Sequence, residues 1–172
     1  MSEAGLQTAI ARARSGMAVD LPSSDVVAHV REVLATIPDP ELPVLSIADL
    51  GMIHRVDVDA EAIRVTILPT FIGCPALEVI RASIEEALAT FNRPVMVLTS
   101  FEPPWTSDRI TPDGRASLAA AGIAPPDDPA DIRCPYCASA QIVMDSVFGP
   151  TQCRSLFYCR GCRQPFEGLK RV

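Results

Sequence analysis

The spacing of apolar residues divides the chain before any other feature does. From Ser23 the sequence reads SSDVVAHVREVLATIPDPELP, and Val26, Val30, Val33, Leu34 and Ile37 recur at helical intervals. Ser23 or Ser24 stands where a helix cap is wanted, and Pro38 and Pro40 stop the helix, since proline lacks the N–H and disfavours a helical predecessor. LSIADLGMI follows as a turn-rich connection containing Gly51. Two runs of period 2, MIHRVDV and AIRVTIL, flank the acidic turn DAE and predict a β-hairpin. Met52, His54, Val56 and Val58 alternate with Ile53, Arg55 and Asp57 in the first; Ile63, Val65 and Ile67 alternate with Arg64 and Thr66 in the second. Leu77, Ile80, Ile84, Leu88 and Phe91 mark one face of a second helix, with Glu78, Arg81, Glu85 and Glu86 largely opposite. PVMVLTSF is apolar throughout, the pattern of a fully buried strand.

Helix, hairpin, helix, strand is the order of a small two-layer α/β domain, and the link from AIRVTIL to PVMVLTSF should be a right-handed parallel crossover. The expected fold class is therefore α+β, with this domain spanning residues 23–124 behind a loose arm at 1–22. A loop and a short Ala-rich helix follow the last strand. Pro125, Pro126 and Pro129 with Asp127 and Asp128 make 125–130 a stiff, solvated linker, and 131–172 is a second, smaller domain.

Composition narrows the function classes. With 48% hydrophobic residues the chain can build a core, but 5% aromatics and a net charge of -6 argue against a nucleic-acid partner. No apolar run approaches the roughly 18 residues of a membrane span, and the first twenty residues lack a signal-peptide core and cleavage site. The expected compartment is the cytoplasm, without membrane attachment, where cysteines serve as metal ligands or reactive thiols rather than disulfides.

The six cysteines are unevenly distributed. Cys134-x-x-Cys137 and Cys159-x-x-Cys162 are separated by residues 138 to 158, one residue beyond the usual ribbon range. Each C-x-x-C knuckle offers two thiolates from one tight turn, and tetrahedral zinc needs four. The alternative, a thioredoxin-like redox pair, fits neither the duplicated motif nor the short hairpin-like sequence between the pairs. About forty residues bury little core, so the metal should supply most of that domain's folding free energy. Ala138 stands where such knuckles prefer a left-handed glycine, which implies strain or a different turn. Cys153 is open to three readings: a spare core thiol, an alternative ligand of the zinc site, or part of an iron or iron–sulfur centre. Residues 131–172 carry six basic and three acidic side chains, which leaves -9 for the rest of the chain.

Cys74 is alone in its half of the chain. With Pro75 after it, it reads as a helix N-cap, where free N–H groups and the helix dipole would favour a thiolate. The other reading is a buried structural cysteine. A hydrolytic nucleophile would need a base, and the two histidines, His29 and His54, both read as structural or surface residues. No phosphate-binding glycine loop, triad or paired catalytic carboxylates emerge.

IPDPELPVLSIADLGMI followed by PTFIGCPALEVI resembles the small α/β domain of iron–sulfur cluster assembly factors, through Asp39, Pro40, Glu41, Asp49, Leu50, Gly51, Thr70, Cys74 and Pro75. PPWTSDRITPDGRASLAAAGIAPP and the tail CPYC…FGPTQC…YCRGC…PFEGLK narrow this, from about residue 25 onward. They resemble the PaaD family of the phenylacetyl-CoA epoxidase system, in whose pattern Cys153 belongs. The resemblance implies a maturation factor without activity of its own, assisting iron or iron–sulfur assembly in aerobic phenylacetate breakdown. Its implied partners are the oxygenase and reductase components, and its implied cofactors are structural zinc and transient iron or an iron–sulfur cluster. Cys74 with Asp49 and Thr70 would form the functional thiol or partner site, and Cys134, Cys137, Cys159 and Cys162, with Cys153 as a further candidate, the metal site. The alternatives are a stoichiometric structural subunit of the oxygenase and a thiol-redox protein using Cys74.

Overall fold

The computed structural model describes residues 23–172, with side chains from residue 25; the arm at 1–22 and the side chains of the expected caps Ser23 and Ser24 lie outside this description. Helix α1 (Ser23–Leu34) buries Val26, Val30 and Leu34 on one stripe, and Ile37 continues it. The last turn tightens as the Thr36 and Ile37 N–H groups donate to the carbonyls of Val33 and Leu34, and Pro38 ends it.

The segment expected as a mere connection is part of the core. Leu42, Leu45, Ile47, Leu50 and Met52 are all buried. Side-chain oxygens satisfy its backbone: Asp39 Oδ1 accepts from the N–H groups of Glu41 and Leu42, and Asp49 Oδ2 from the N–H and hydroxyl of Ser46. Gly51 turns the chain with φ +66°, and a Cβ there would lie 2.3 Å from the Arg109 carbonyl oxygen.

Strands β1 (Ile53–Val58) and β2 (Ile63–Ile67) pair antiparallel. The register slips between Ile53 and Arg55, so His54 is the extra, exposed residue of a bulge. The alternation expected to put His54 on the Met52–Val56 face fails at this point. Helix α2 (Leu77–Leu88) buries Ile80, Ile84 and Leu88 and leads to β3 (Val95–Thr99), parallel to β2. The order β1-β2-β3 makes β3 an edge strand. Only Val97 of β3 is buried, while Met96 and Leu98 are 47% and 45% exposed. The continuous apolar run is therefore a strand with one uncovered face, not a fully buried one.

Trp105 is buried beneath the loop after β3, where its Nε1 donates to the Leu50 carbonyl at 2.8 Å. Helix α3 (Pro112–Ala120) begins at Thr111, whose Oγ1 accepts from the Gly114 N–H. The second sheet consists of β4 (Ile123–Ala124), β5 (Ile142–Ser146), β6 (Arg154–Cys159) and β7 (Pro165–Leu169), in the order β4-β7-β6-β5. Its small core stacks Phe157 on Phe166 with Ile132, Cys134 and Cys159. This sheet starts before the 125–130 segment, because β4 pairs with β7. It also joins the first unit at its far end: Leu169 is buried in the main core, and the Val172 N–H donates to Ser107 Oγ at 2.8 Å. The architecture is α+β: a two-layer unit with a four-stranded ribbon docked against it. Among the described residues no helix is long and apolar enough to cross a membrane.

Candidate metal centre and interdomain thiol site

The two knuckles meet. Cys134 and Cys137 lie in the loop before β5; Cys159 closes β6, and Cys162 lies in the turn before β7. Their four sulfurs lie within 4.8 Å of one another. The knuckles match each other: the Ala138 N–H donates to the Cys134 carbonyl and the Arg163 N–H to the Cys159 carbonyl, both at 2.8 Å. Ala138 and Arg163 have φ +58° and +61°. Ala138 thus takes the left-handed turn that its partner knuckle takes, without the glycine that would make it free of cost.

Sγ–Sγ separations of 3.6 Å for Cys134–Cys162 and Cys137–Cys159 are too long for a disulfide, whose bond is about 2.05 Å. They approach the edge of a tetrahedron of thiolates, about 3.8 Å for metal–sulfur bonds of about 2.3 Å. The donor set and its spacing fit a tetrahedral thiophilic ion. The Cys162 N–H, 3.5 Å from Cys159 Sγ, pulls the Cys159 thiol down to about 6, whereas burial pushes Cys162 up to about 12. One thiolate is available at neutral pH, and a cation bound by the four sulfurs would displace the remaining protons.

Cys153 does not join this group. It sits before β6 with its sulfur 3.1 Å from Thr151 Oγ1, packed against the main core, and it faces Cys74 across a cavity. Its reading as a ribbon ligand is corrected accordingly: the FGPT turn carries it away from the knuckles, toward the first unit.

Cys74 is not a helix N-cap. The cap of α2 is Ala76, in helical conformation; Cys74 lies two residues earlier, its N–H donating to the Phe71 carbonyl at 3.3 Å. Burial raises the Cys74 thiol pKa, and the charges of Glu41, Asp39 and Cys153 add to it, against the one N–H, of Ala76, that favours the thiolate. The thiol is held protonated, opposite to the helix-dipole expectation. Thr70 lines the same cavity. Asp49 does not: its carboxylate accepts from Ser46 and from the Thr111 hydroxyl, tying the core loop to α3. His29 is exposed, 3.2 Å from Glu32.

Sequence reasoning gave Asp39 and Glu41 no part in the site. Asp39 is 6% exposed, with burial raising its pKa, and with Glu41 it lines the Cys74 cavity. The acidic turn and the CP corner lie about 35 residues apart, so their meeting is a product of the fold; the signal available was the repeated acid around Pro40.

Comparison with known proteins agrees with this division. The family described as iron–sulfur cluster assembly protein matches residues 27–97, and the PaaD zinc beta ribbon domain matches residues 121–170. A domain of unknown function, DUF59, from Bacillus anthracis superposes with a TM-score of 0.53 at 25% identity, covering 56% of this chain and 93% of that one. The fold and site thus define an assembly-type α/β domain joined to a four-cysteine ribbon. An Escherichia coli (strain K12) protein designated the D component of 1,2-phenylacetyl-CoA epoxidase is 41% identical over 154 residues, 85% of this chain and 93% of that one. The chain belongs to the family of that component, the PaaD family.

Proposed function

We propose that this protein acts in phenylacetate catabolism, in the cytoplasm, as a maturation factor that assists assembly of an iron or iron–sulfur centre in the phenylacetyl-CoA epoxidase. Its partners are the oxygenase and reductase components, and it has no turnover of its own. The observation that carries the reading is Cys74, a half-buried thiol that lines one cavity with Asp39, Glu41 and Thr70, on a domain that matches iron–sulfur assembly proteins. A soft sulfur among hard oxygens suits an iron ion that is to be taken up and passed on. The ribbon holds structural zinc through Cys134, Cys137, Cys159 and Cys162, and Asp49 serves by shaping the loop that backs the site.

The test is to produce the epoxidase components without this chain. They should assemble but lack activity and metal, and Cys74→Ser protein should not rescue them. A second reading, a stoichiometric component of the oxygenase, is favoured by the exposed apolar side chains Met96, Leu98, Phe101 and Ile72, which a lasting partner would cover. Late addition of this chain to purified inactive enzyme, with no iron source, separates the two: immediate activity supports the stoichiometric role and sinks the maturation factor.

A further inference from the structure

Side chains alternate along β6. Ser155, Phe157 and Cys159 are buried on one face; Arg154 and Leu156 are half-buried and Tyr158 and Arg160 exposed on the other. The Arg160 N–H donates to the Gln141 carbonyl at 2.8 Å, so the ladder with β5 runs one residue past the strand and keeps Arg160 on the Tyr158 face. The register sets Tyr158 between Val143 of β5 and Pro165 of β7. Val143 and Tyr158 are each 38% exposed, and Pro165 is exposed too. An apolar row thus crosses the ribbon on the face turned away from its Phe157–Phe166 core, open to solvent. The row ends in charge. Four of the ribbon's six basic side chains are engaged: Arg154 by Glu167, Arg171 by Asp128, Lys170 by the Gln152 carbonyl, and Arg133 by the carbonyls of Ala130 and Ile132. The guanidinium groups of Arg160 and Arg163 are exposed and have no partner among the described residues. Each arginine follows a ligand cysteine, yet neither guanidinium reaches a sulfur, so contact with the thiolates does not account for them.

We propose that this face of the ribbon docks an acidic protein segment, whose carboxylates meet Arg160 and Arg163 and whose apolar side chain packs on the Val143–Tyr158–Pro165 row. The inference goes beyond the maturation reading and does not rest on Cys74. Tyrosine and arginine dominate binding energy at protein interfaces, because each brings a large contact area with a polar end. Charge selects the occupant. A guanidinium takes a carboxylate through two parallel hydrogen bonds, so two free arginines at one end of an apolar row suit a short acidic segment. A nucleic-acid backbone carries a charge about every 1.7 Å and asks for a longer basic track; here it would meet Glu167 on the same face and a chain of net charge -6. A second copy of this chain, face to face, would oppose arginine to arginine. At the other end of β6, Arg154 donates to the Glu41 carbonyl of the first unit at 3.0 Å, so a segment laid along the face runs from the metal end of the ribbon toward the joint.

The experiment uses the full, metal-loaded chain. The probe is a dye-labelled peptide in which glutamates alternate with serines on either side of one leucine, and fluorescence anisotropy reads its affinity. A copy with glutamine for glutamate and a short single-stranded DNA are run beside it. The glutamate peptide should bind, and rising salt should weaken it. Arg160→Gln and Arg163→Gln should each weaken it by about three- to tenfold. Tyr158→Ser should weaken it by about threefold, at low and high salt alike, since it removes apolar contact rather than charge. Arg171→Gln, whose arginine is already engaged by Asp128, should stay within about twofold. All four side chains are exposed, and an unchanged metal content verifies that each variant has folded. A glutamate peptide that does not bind overturns the proposal, as does one bound no better than its glutamine copy or indifferent to both arginines. DNA held more tightly than the peptide, through the same two arginines, also overturns it and makes the face a nucleic-acid site.

Discussion

The molecule places cysteines in two settings of opposite character. In the ribbon, four sulfurs crowd within 4.8 Å, flanked by backbone N–H groups, and one thiol is drawn down to about 6. At the joint, two sulfurs share a cavity with two carboxylates, and burial raises both thiols. The same side chain belongs to a gathered four-sulfur set in one and is a partly buried thiol beside carboxylates in the other. The difference lies in what surrounds the sulfur, not in its own chemistry. In the ribbon the N–H of Cys162 and the sibling thiols favour one thiolate, at Cys159, while burial and the same siblings hold Cys162 protonated; at the joint desolvation and nearby acid favour thiol.

The largest effect should come from breaking the ribbon. Its core is small, and metal binding in comparable four-ligand modules supplies about 10–16 kcal/mol. Cys159→Ser should unfold 131–172. The loss should not stop there, because Leu169 lies in the main core and the Val172 end is bonded to Ser107, two residues from Trp105. Emission from Trp105, the one tryptophan, should shift to the red on metal removal. An unchanged spectrum would mean that the two settings are structurally independent.

Next in size is the joint itself. Leu169→Ala should cost about 2–5 kcal/mol, as large-to-small changes in a core do. Because Leu169 belongs to the ribbon's β7 but packs in the first core, urea melts followed through Trp105 and through ribbon amide exchange should both move to lower midpoints. Movement of the ribbon signal alone would show that Leu169 does not couple the units.

A smaller effect tests the knuckles. Ala138 holds φ +58° without being glycine. Ala138→Gly should stabilise the metal-loaded ribbon by about 1 kcal/mol, the lower part of the left-handed penalty after glycine's own entropy cost. A chelator-competition midpoint that falls rather than rises would show that the alanine methyl contributes packing that outweighs the strain.

The ribbon was legible in the sequence because its chemistry is local: two C-x-x-C motifs carry their own geometry, and even the awkward Ala138 could be picked out. Periodicity likewise found both main helices and the hairpin. It failed where tertiary context decides. PVMVLTSF is apolar on both faces, but its position at the sheet edge leaves Met96 and Leu98 uncovered. His54 left its expected face because a bulge adds one residue to β1. Asp49, close to the motif in sequence, holds the core loop instead, while Asp39 and Cys153, 114 residues apart, meet at Cys74's cavity. A site assembled from three loops leaves no spacing rule to read.

The smallest effect bears on the latent thiol, and its sign is what matters. Cys74's pKa is raised above the ordinary 9.0, so at neutral pH less of it is thiolate than of a free cysteine. Alkylation by iodoacetamide, which consumes thiolate, should be slower at Cys74 than at a model thiol. Its rate should keep climbing as pH passes the value where the model thiol levels off. Glu41→Gln removes one of the negative charges that oppose ionisation and should speed the reaction at neutral pH by roughly two- to fivefold, an electrostatic effect between half-buried groups that salt should partly diminish. Glu41 accepts Arg154 through its backbone carbonyl, at 3.0 Å, so the substitution leaves that contact to the ribbon in place. Site-resolved mass spectrometry on the metal-loaded chain, across a pH series, measures both quantities. A Cys74 that reacts faster than the model thiol at neutral pH, or one indifferent to Glu41→Gln, would mean that the acidic turn does not set its protonation. The contrast between the two cysteine settings would then rest on burial alone.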